Sequence, residues 1–261
     1  MIFTAFAAYR SAGGGLTTGE LLLALLGMLF AVSGTTALNM VFDRDIDAVM
    51  ARTKNRPIPK GVLTPRAATI FSWVLILGGT VINLWISWLY AAVIGLGVFF
   101  DFIVYTIWLK RKSPWSIVFG GLSGGMPILA GRVLVTGQVD FIGILLMFAI
   151  LLWIPTHILT LAMNHSKDYK LAGVPTFPNV FGFNSARYFI AVTNLIAAGI
   201  LLMVAYFLHI NHSGIVALRF GSLIMLVLSG RLILSPSEKT NFTLFKYASI
   251  YMAGAMLIFA L

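Results

Sequence analysis

Cysteine is absent from all 261 residues, which excludes disulfides and thiolate metal sites and leaves the redox compartment unread. Charge is scarce too. Asp, Glu, Lys and Arg make up 10% of the chain, against roughly 25% in an ordinary soluble domain. Long polar stretches are missing, so no soluble domain fits between the apolar runs. The opening MIFTAFAAYRSAGGG lacks the basic start and small-residue cleavage site of a signal peptide, and its apolar part is too short to span a bilayer. It reads as a clipped first helix.

What is abundant is apolar surface, at 59% of residues. Runs long enough to cross about 30 Å of hydrocarbon as helices recur at 18–42, 67–87, 90–109, 115–134, 141–163, 188–208, 214–234 and 243–261. The expected fold is therefore all-α: one polytopic membrane domain over residues 1–261. The net charge of +10 is a matter of topology. If the spans alternate, all 18 Lys and Arg except Arg10, Arg132 and Arg219 fall on one face. By the positive-inside rule that face is cytoplasmic, with the start of the N-terminal segment inside and the C-terminus outside. No nucleic-acid partner is needed to explain the charge.

The same face carries acid where the first long run ends, in NMVFDRDIDAVMARTKNRPIP. Asn39, Asp43 and Asp47 are spaced by four, so a helix stacks them in one stripe, while Asp45 points the other way. A second carboxamide and carboxylate at the same spacing, Asn164 and Asp168, lie in NHSKD at the end of another run. One reading makes these ion pairs with Arg44, Arg52 or Lys54 at the membrane surface. The other makes them an all-oxygen ligand set for Mg²⁺, and the repeated spacing beside two cationic loops favours it. Mg²⁺ usually bridges carboxylates to substrate phosphates, which implies a phosphorylated ligand. Arg52, Lys54, Arg56, Lys110 and Arg111 supply the positive charge that a diphosphate requires.

Three more residues sit deeper. Asp101 lies nine residues before Lys110, about 13 Å inside an α-helix end, where a carboxyl must face the bundle interior or a wet cavity. A hydrogen bond to Tyr105, one turn on, is its favoured role over catalysis. His157 precedes Asn164 by seven residues, so an α-helix returns it to nearly the same face. It serves either a satisfied structural hydrogen bond or an acceptor molecule. The Gly120–Gly121 and Gly124–Gly125 pairs read as close-packing positions.

These segments resemble the intramembrane aromatic prenyltransferases of the UbiA type, and within them most closely the haem O synthases, which are protoheme IX farnesyltransferases. NMVFDRDIDAVMARTKNRPIPKG is similar to the family's first Asp-rich motif, YTIWLKRKSPWSIVFGG to its Lys-Arg segment with a glycine pair, and HILTLAMNHSKDYKLAGVPTFP to its second acidic motif. The resemblance implies about nine transmembrane helices around a central cavity, of which the first is shortened here. It implies that Mg²⁺ on Asn39, Asp43, Asp47 and Asp168, with Asn164, holds the diphosphate of a polyprenyl donor, farnesyl diphosphate above all. Arg52, Lys54, Arg56, Lys110 and Arg111 then neutralise that diphosphate, and Tyr105 faces the allylic cation. Asp101 and His157 belong to the substrate site, with haem b as the lipophilic acceptor, in the plasma membrane of a prokaryote. Other acceptors, a quinone precursor or an archaeal glycerol ether, need the same machinery. A transporter fits less well, since these carboxylates lie at one surface, and the DGxxAR signature of CDP-alcohol phosphotransferases is missing.

Overall fold

The structure is a computed structural model that describes residues 1–261, and all of its regular structure is helical. Eight helices are long and apolar enough to cross a membrane: α2 (Thr18–Phe42), α4 (Pro65–Ile86), α5 (Trp88–Leu109), α6 (Ser116–Thr136), α7 (Phe141–Asn164), α10 (Phe183–Phe207), α11 (His212–Leu234) and α12 (Glu238–Ala260). Four short ones complete the order: α1 (Ile2–Ser11), α3 (Arg44–Val49), α8 (Ser166–Leu171) and α9 (Phe177–Phe181).

Helix starts follow local chemistry. Thr17 with Glu20 and Ser237 with Thr240 form reciprocal caps that satisfy first-turn N–H groups. Asp140 caps α7 through Gly143 N–H at 3.0 Å. The Ser237 cap explains why α12 begins five residues before the apolar run at 243, as α10 does before 188: both first turns are polar, and hydropathy assigns them to loops.

Helices adjacent in sequence pack on one another, and glycine sets the closest approaches. A methyl group on Gly34 would lie 2.7 Å from the Ser72 carbonyl, and one on Gly79 would lie 2.6 Å from the Gly27 carbonyl, so α2 and α4 meet backbone to backbone. Tyr90 is fully buried and donates its hydroxyl to Ala24 O at 2.8 Å, tying α5 to α2. One apolar core joins α7, α10, α11 and α12, and a smaller one joins α1, α2, α5 and α6. Trp73, Trp85 and Trp88 face outward, as a lipid-exposed perimeter requires.

α5 departs from the expected winding. Its second half, Phe99–Leu109, is a π-helix that ends with Lys110 N–H donating to Tyr105 O, five residues back, at 2.8 Å. The π-helix is wider and shorter per residue than an α-helix, so the 13 Å depth inferred for Asp101 by counting α-helical rises is too large.

The end of the bundle opposite the cationic loops is clamped. Arg132 is buried and grips Asp140 through Nε at 2.9 Å and Nη2 at 2.5 Å, while its Nη1 donates to Ser11 Oγ at 3.0 Å. One guanidinium thus joins α1, α6 and the start of α7. Removing one partner of a buried pair leaves the other unpaired, at a cost of about 3–5 kcal/mol. Arg132→Gln is therefore predicted to lower the melting temperature in a fixed detergent by many degrees. An unchanged melting temperature would show the clamp to be dispensable.

Candidate active site

α2 ends where Asp43 leaves helical geometry, at φ −88° and ψ 5°. The stagger survives the break, because Asp43 N–H donates to Asn39 O at 2.9 Å and Asp47 N–H to Asp43 O at 2.7 Å. Asp43 and Asp47 are accordingly only 5% and 4% exposed, whereas the Asp45 side chain is 61% exposed. The inward pair is neutralised from two directions. Lys110, at the end of α5, binds Asp43 Oδ2, and Arg56, from the loop after α3, donates to Asp47 Oδ2 at 2.6 Å. A hydrogen bond from Thr53 Oγ1 to Asp47 O at 3.1 Å pins that loop.

The π winding of α5 builds the facing wall. In an α-helix Thr106 and Lys110 would stand about 140° and 180° around from Asp101. With i→i+5 bonding a turn takes about four and a half residues, which gathers Asp101, Tyr105, Thr106 and Lys110 on one face. Asn39 meets that face: its Nδ2 donates to Asp101 Oδ2 at 2.8 Å, and its Oδ1 accepts from Thr106 Oγ1 at 2.9 Å. Asp101 therefore pairs with Asn39, not with Tyr105 as α-helical spacing suggested. Tyr105 instead lies flat on α6, where a Cβ on Gly120 would come within 2.7 Å of its ring, and Lys110 Nζ sits 5.6 Å from its centroid.

Beyond this polar end lies a cavity of about 300 Å³, lined by Asp101, Tyr105, Gly120, Trp153, Ile154 and His157 among others. His157 opens onto it and makes no hydrogen bond within the protein. Its ring is held between Trp153, with centroids 5.7 Å apart, and Phe245, stacked at 5.0 Å. The structural hydrogen bond foreseen as one alternative is absent. Trp153, four residues before His157, was legible as a neighbour on the same helix face, whereas Phe245 and Thr106 were not.

Other expected members are elsewhere. Arg111 turns outward, where it binds Asp45 at 2.6 and 2.7 Å and donates to the terminal α2 carbonyl of Phe42 at 2.9 Å. These hydrogen bonds hold the Asp45 carboxyl down at about 2, below its ordinary 3.8. A depressed carboxyl contributes stability above its unfolded value and loses it as pH falls through the folded one, so this tether is intact at neutral pH. Arg52 and Lys54 are exposed and make no ion pair. Asn164, expected beside His157, lines a different pocket with Arg187, Glu238 and Asn241. There α7 is already turned toward α12, through Asn241 Nδ2 donating to Thr160 Oγ1 at 3.0 Å. Asp168 is half-buried on α8. An apolar cluster of Ile46, Met50 and Val174 with Tyr169 and Ala172 brings that segment to the end of the bundle that carries α3. No group of three or more His, Asp or Glu side chains is gathered to hold an ion by itself.

A family model described as the UbiA prenyltransferase family matches residues 1–252. The chain belongs to this family. A protoheme IX farnesyltransferase of Archaeoglobus fulgidus is 42% identical over 188 residues, which cover 72% of this chain and 66% of that protein. One from Thermofilum pendens is 40% identical over 207 residues, covering 79% and 72%. The match thus spans about two thirds of the length of these relatives. Among solved structures, one described as that of a digeranylgeranylglyceryl phosphate synthase superposes with a TM-score of 0.82 at 21% identity, over 99% of this chain and 91% of its own. A UbiA homologue from Archaeoglobus fulgidus bound to GPP and Mg²⁺ gives 0.68 at 15%, over 100% and 96%. At those identities the structures speak for the shared membrane bundle alone.

Removing the charge of an inward carboxylate should act differently from removing the outward one. Asp43→Asn and Asp47→Asn are predicted to lower turnover at least about a hundredfold, the scale of losing an electrostatic catalytic group, while Asp45→Asn stays within about threefold. Steady-state rates of diphosphate release will measure all three, and equal losses would contradict the inward and outward assignment.

Proposed function

We propose that this chain transfers a polyprenyl group, farnesyl in the first instance, from its diphosphate to haem b, giving haem O in a Mg²⁺-dependent reaction. The observation that carries the reading is the junction of two environments: two buried carboxylates, Asp43 and Asp47, neutralised by Lys110 and Arg56, and an aromatic cavity with an unbonded imidazole, whose wall reaches that cluster through Tyr105, 5.6 Å from Lys110 Nζ, and through Asp101. One membrane domain over residues 1–261 carries this function. The charge bias sets the polar end on the cytoplasmic side of the plasma membrane.

Mg²⁺ fits the donor set. Asp43 Oδ1 is buried and has no hydrogen-bond partner within the protein, and Asp47 lies one turn on, so these two carboxylates would hold the ion and leave it free to meet a substrate phosphate. Asp168, on the adjacent segment, is the third acidic candidate. Asn39 positions rather than ligates, since both ends of its carboxamide are engaged by Asp101 and Thr106. When bound, the metal withdraws charge from the diphosphate and improves it as a leaving group.

The rest falls to the side chains. Lys110 and Arg56 exchange their carboxylate partners for diphosphate oxygens and neutralise the charge that develops as the C1–O bond breaks. The allylic cation that remains faces the Tyr105 ring in the cavity that Ile117, Ile150 and Ile154 also line. The acceptor lies beyond, against His157, Trp153 and Phe245; the terminal carbon of its vinyl group bonds to C1, and the cation left on the inner vinyl carbon takes up a water, which gives up a proton to leave the alcohol.

Incubating the purified protein with Mg²⁺, farnesyl diphosphate and haem b should yield the mass of the farnesylated, hydrated haem. Prenylation of a hydroxybenzoate or a glycerol phosphate ether in its place would reassign the acceptor. His157→Ala is predicted to weaken haem binding about tenfold while donor affinity stays unchanged and the melting temperature falls only by the loss of its stacking on Trp153 and Phe245, because no internal hydrogen bond is lost. Parallel losses of haem binding, donor binding and melting temperature would make His157 a structural residue.

A further inference from the structure

A second polar cavity, of about 220 Å³, opens where the ends of α7, α10 and α12 meet, lined by Thr160, Asn164, Arg187, Glu238, Asn241 and Phe242 among others. Its chemistry is unbalanced in a specific way. Arg187 and Glu238 share the cavity, yet neither takes part in any of the ion pairs of the molecule. Arg187 spends only Nη1, on Asn184 Oδ1 at 3.1 Å, and its Nε is buried with no partner. Asn241 is 4% exposed and donates Nδ2 to Thr160 Oγ1, which leaves Oδ1 buried and without a hydrogen bond inside the protein.

Arg187 Nε is buried and short of an acceptor, Asn241 Oδ1 is buried and short of a donor, and Glu238, exposed at the rim of the cavity, sets a carboxylate beside them. A ligand that satisfies all three carries an anion for the guanidinium fork and a cation with N–H groups for Glu238 and Asn241. A phosphate suits Arg187, which presents planar paired donors. A primary ammonium suits the other side, because its three N–H groups satisfy both a carboxylate and the Asn241 carbonyl. Phe242 and Phe183 give the cavity an apolar border, and the helix ends around it belong to membrane-spanning segments.

We propose that this pocket binds a phosphoethanolamine group. Its charged residues, Arg187 and Glu238, take no part in the Asp43–Lys110 and Asp47–Arg56 cluster.

Native mass spectrometry of the full chain in detergent provides the test. The probes are phosphatidylethanolamine and phosphatidylcholine of identical acyl chains, the second having a quaternary ammonium with no N–H donor. Wild type should bind phosphatidylethanolamine about tenfold more tightly. Glu238→Gln should bring the two lipids within about twofold, and Arg187→Gln should weaken both. Adding soluble phosphoethanolamine separates the sources: displacement of the lipid means that the free headgroup suffices, and no displacement means that the group is recognised on a lipid. Equal binding of the two lipids by wild type would overturn the proposal without recourse to any variant. So would a Glu238→Gln protein of unchanged melting temperature that keeps the full preference.

Discussion

Two carboxylates at the end of an apolar helix cannot stay charged and buried without a counter-charge, and this constraint organises the polar end of the molecule. Breaking such a pair costs about 3–5 kcal/mol. Asp43 is met by Lys110 from α5 and Asp47 by Arg56 from the loop after α3, so neutralising them also fixes how the helix ends and the basic loop are arranged. The opposite end uses the same device once, in Arg132 and Asp140, where the pair ties α1, α6 and the start of α7 together. The difference lies in what stands next to each pair. Asp43 keeps one buried oxygen without a partner, whereas Asp140 spends its free capacity on capping α7.

Whether Lys110 reaches Asp43 depends on the winding of α5. With α-helical geometry Lys110 and Thr106 would lie on the far side from Asp101, and Asn39 would lose one of its two partners. The π segment Phe99–Leu109 brings all three to the α2 side. π turns are frequent at functional sites, and here the reason is geometric: one helix face must serve two successive rungs of α2, Asn39 and Asp43.

The sequence and the structure agree where short-range rules govern. Apolar runs located the membrane helices, because bilayer thickness sets their length, and the displaced starts of α10 and α12 follow from polar first turns that hydropathy cannot separate from loops. The inward Asp43 and Asp47 and the outward Asp45 were legible from a spacing of four. Partners brought in by tertiary packing were not. Asp101 was matched to Tyr105 because α-helical periodicity made them neighbours, Arg111 was counted with the donor site because it adjoins Lys110, and Asn164 was set on the face of His157 by a spacing of seven. The first of those readings assumed an α-helix where α5 is wound as a π-helix, and the others depend on which neighbouring segment each side chain meets.

On the proposed mechanism the carboxylates cannot serve Mg²⁺ and the two cations equally well at once, so metal and diphosphate should bind as a coupled pair. Calorimetric titration of Mg²⁺ into the purified protein, with and without a non-hydrolysable farnesyl diphosphate analogue, measures that coupling directly. The predicted result is Mg²⁺ binding at least about tenfold tighter with the analogue present, and the same factor for the analogue when Mg²⁺ is present first. Mg²⁺ binding of equal affinity in both titrations would contradict the idea that Lys110 and Arg56 hold the metal's carboxylates until the diphosphate arrives.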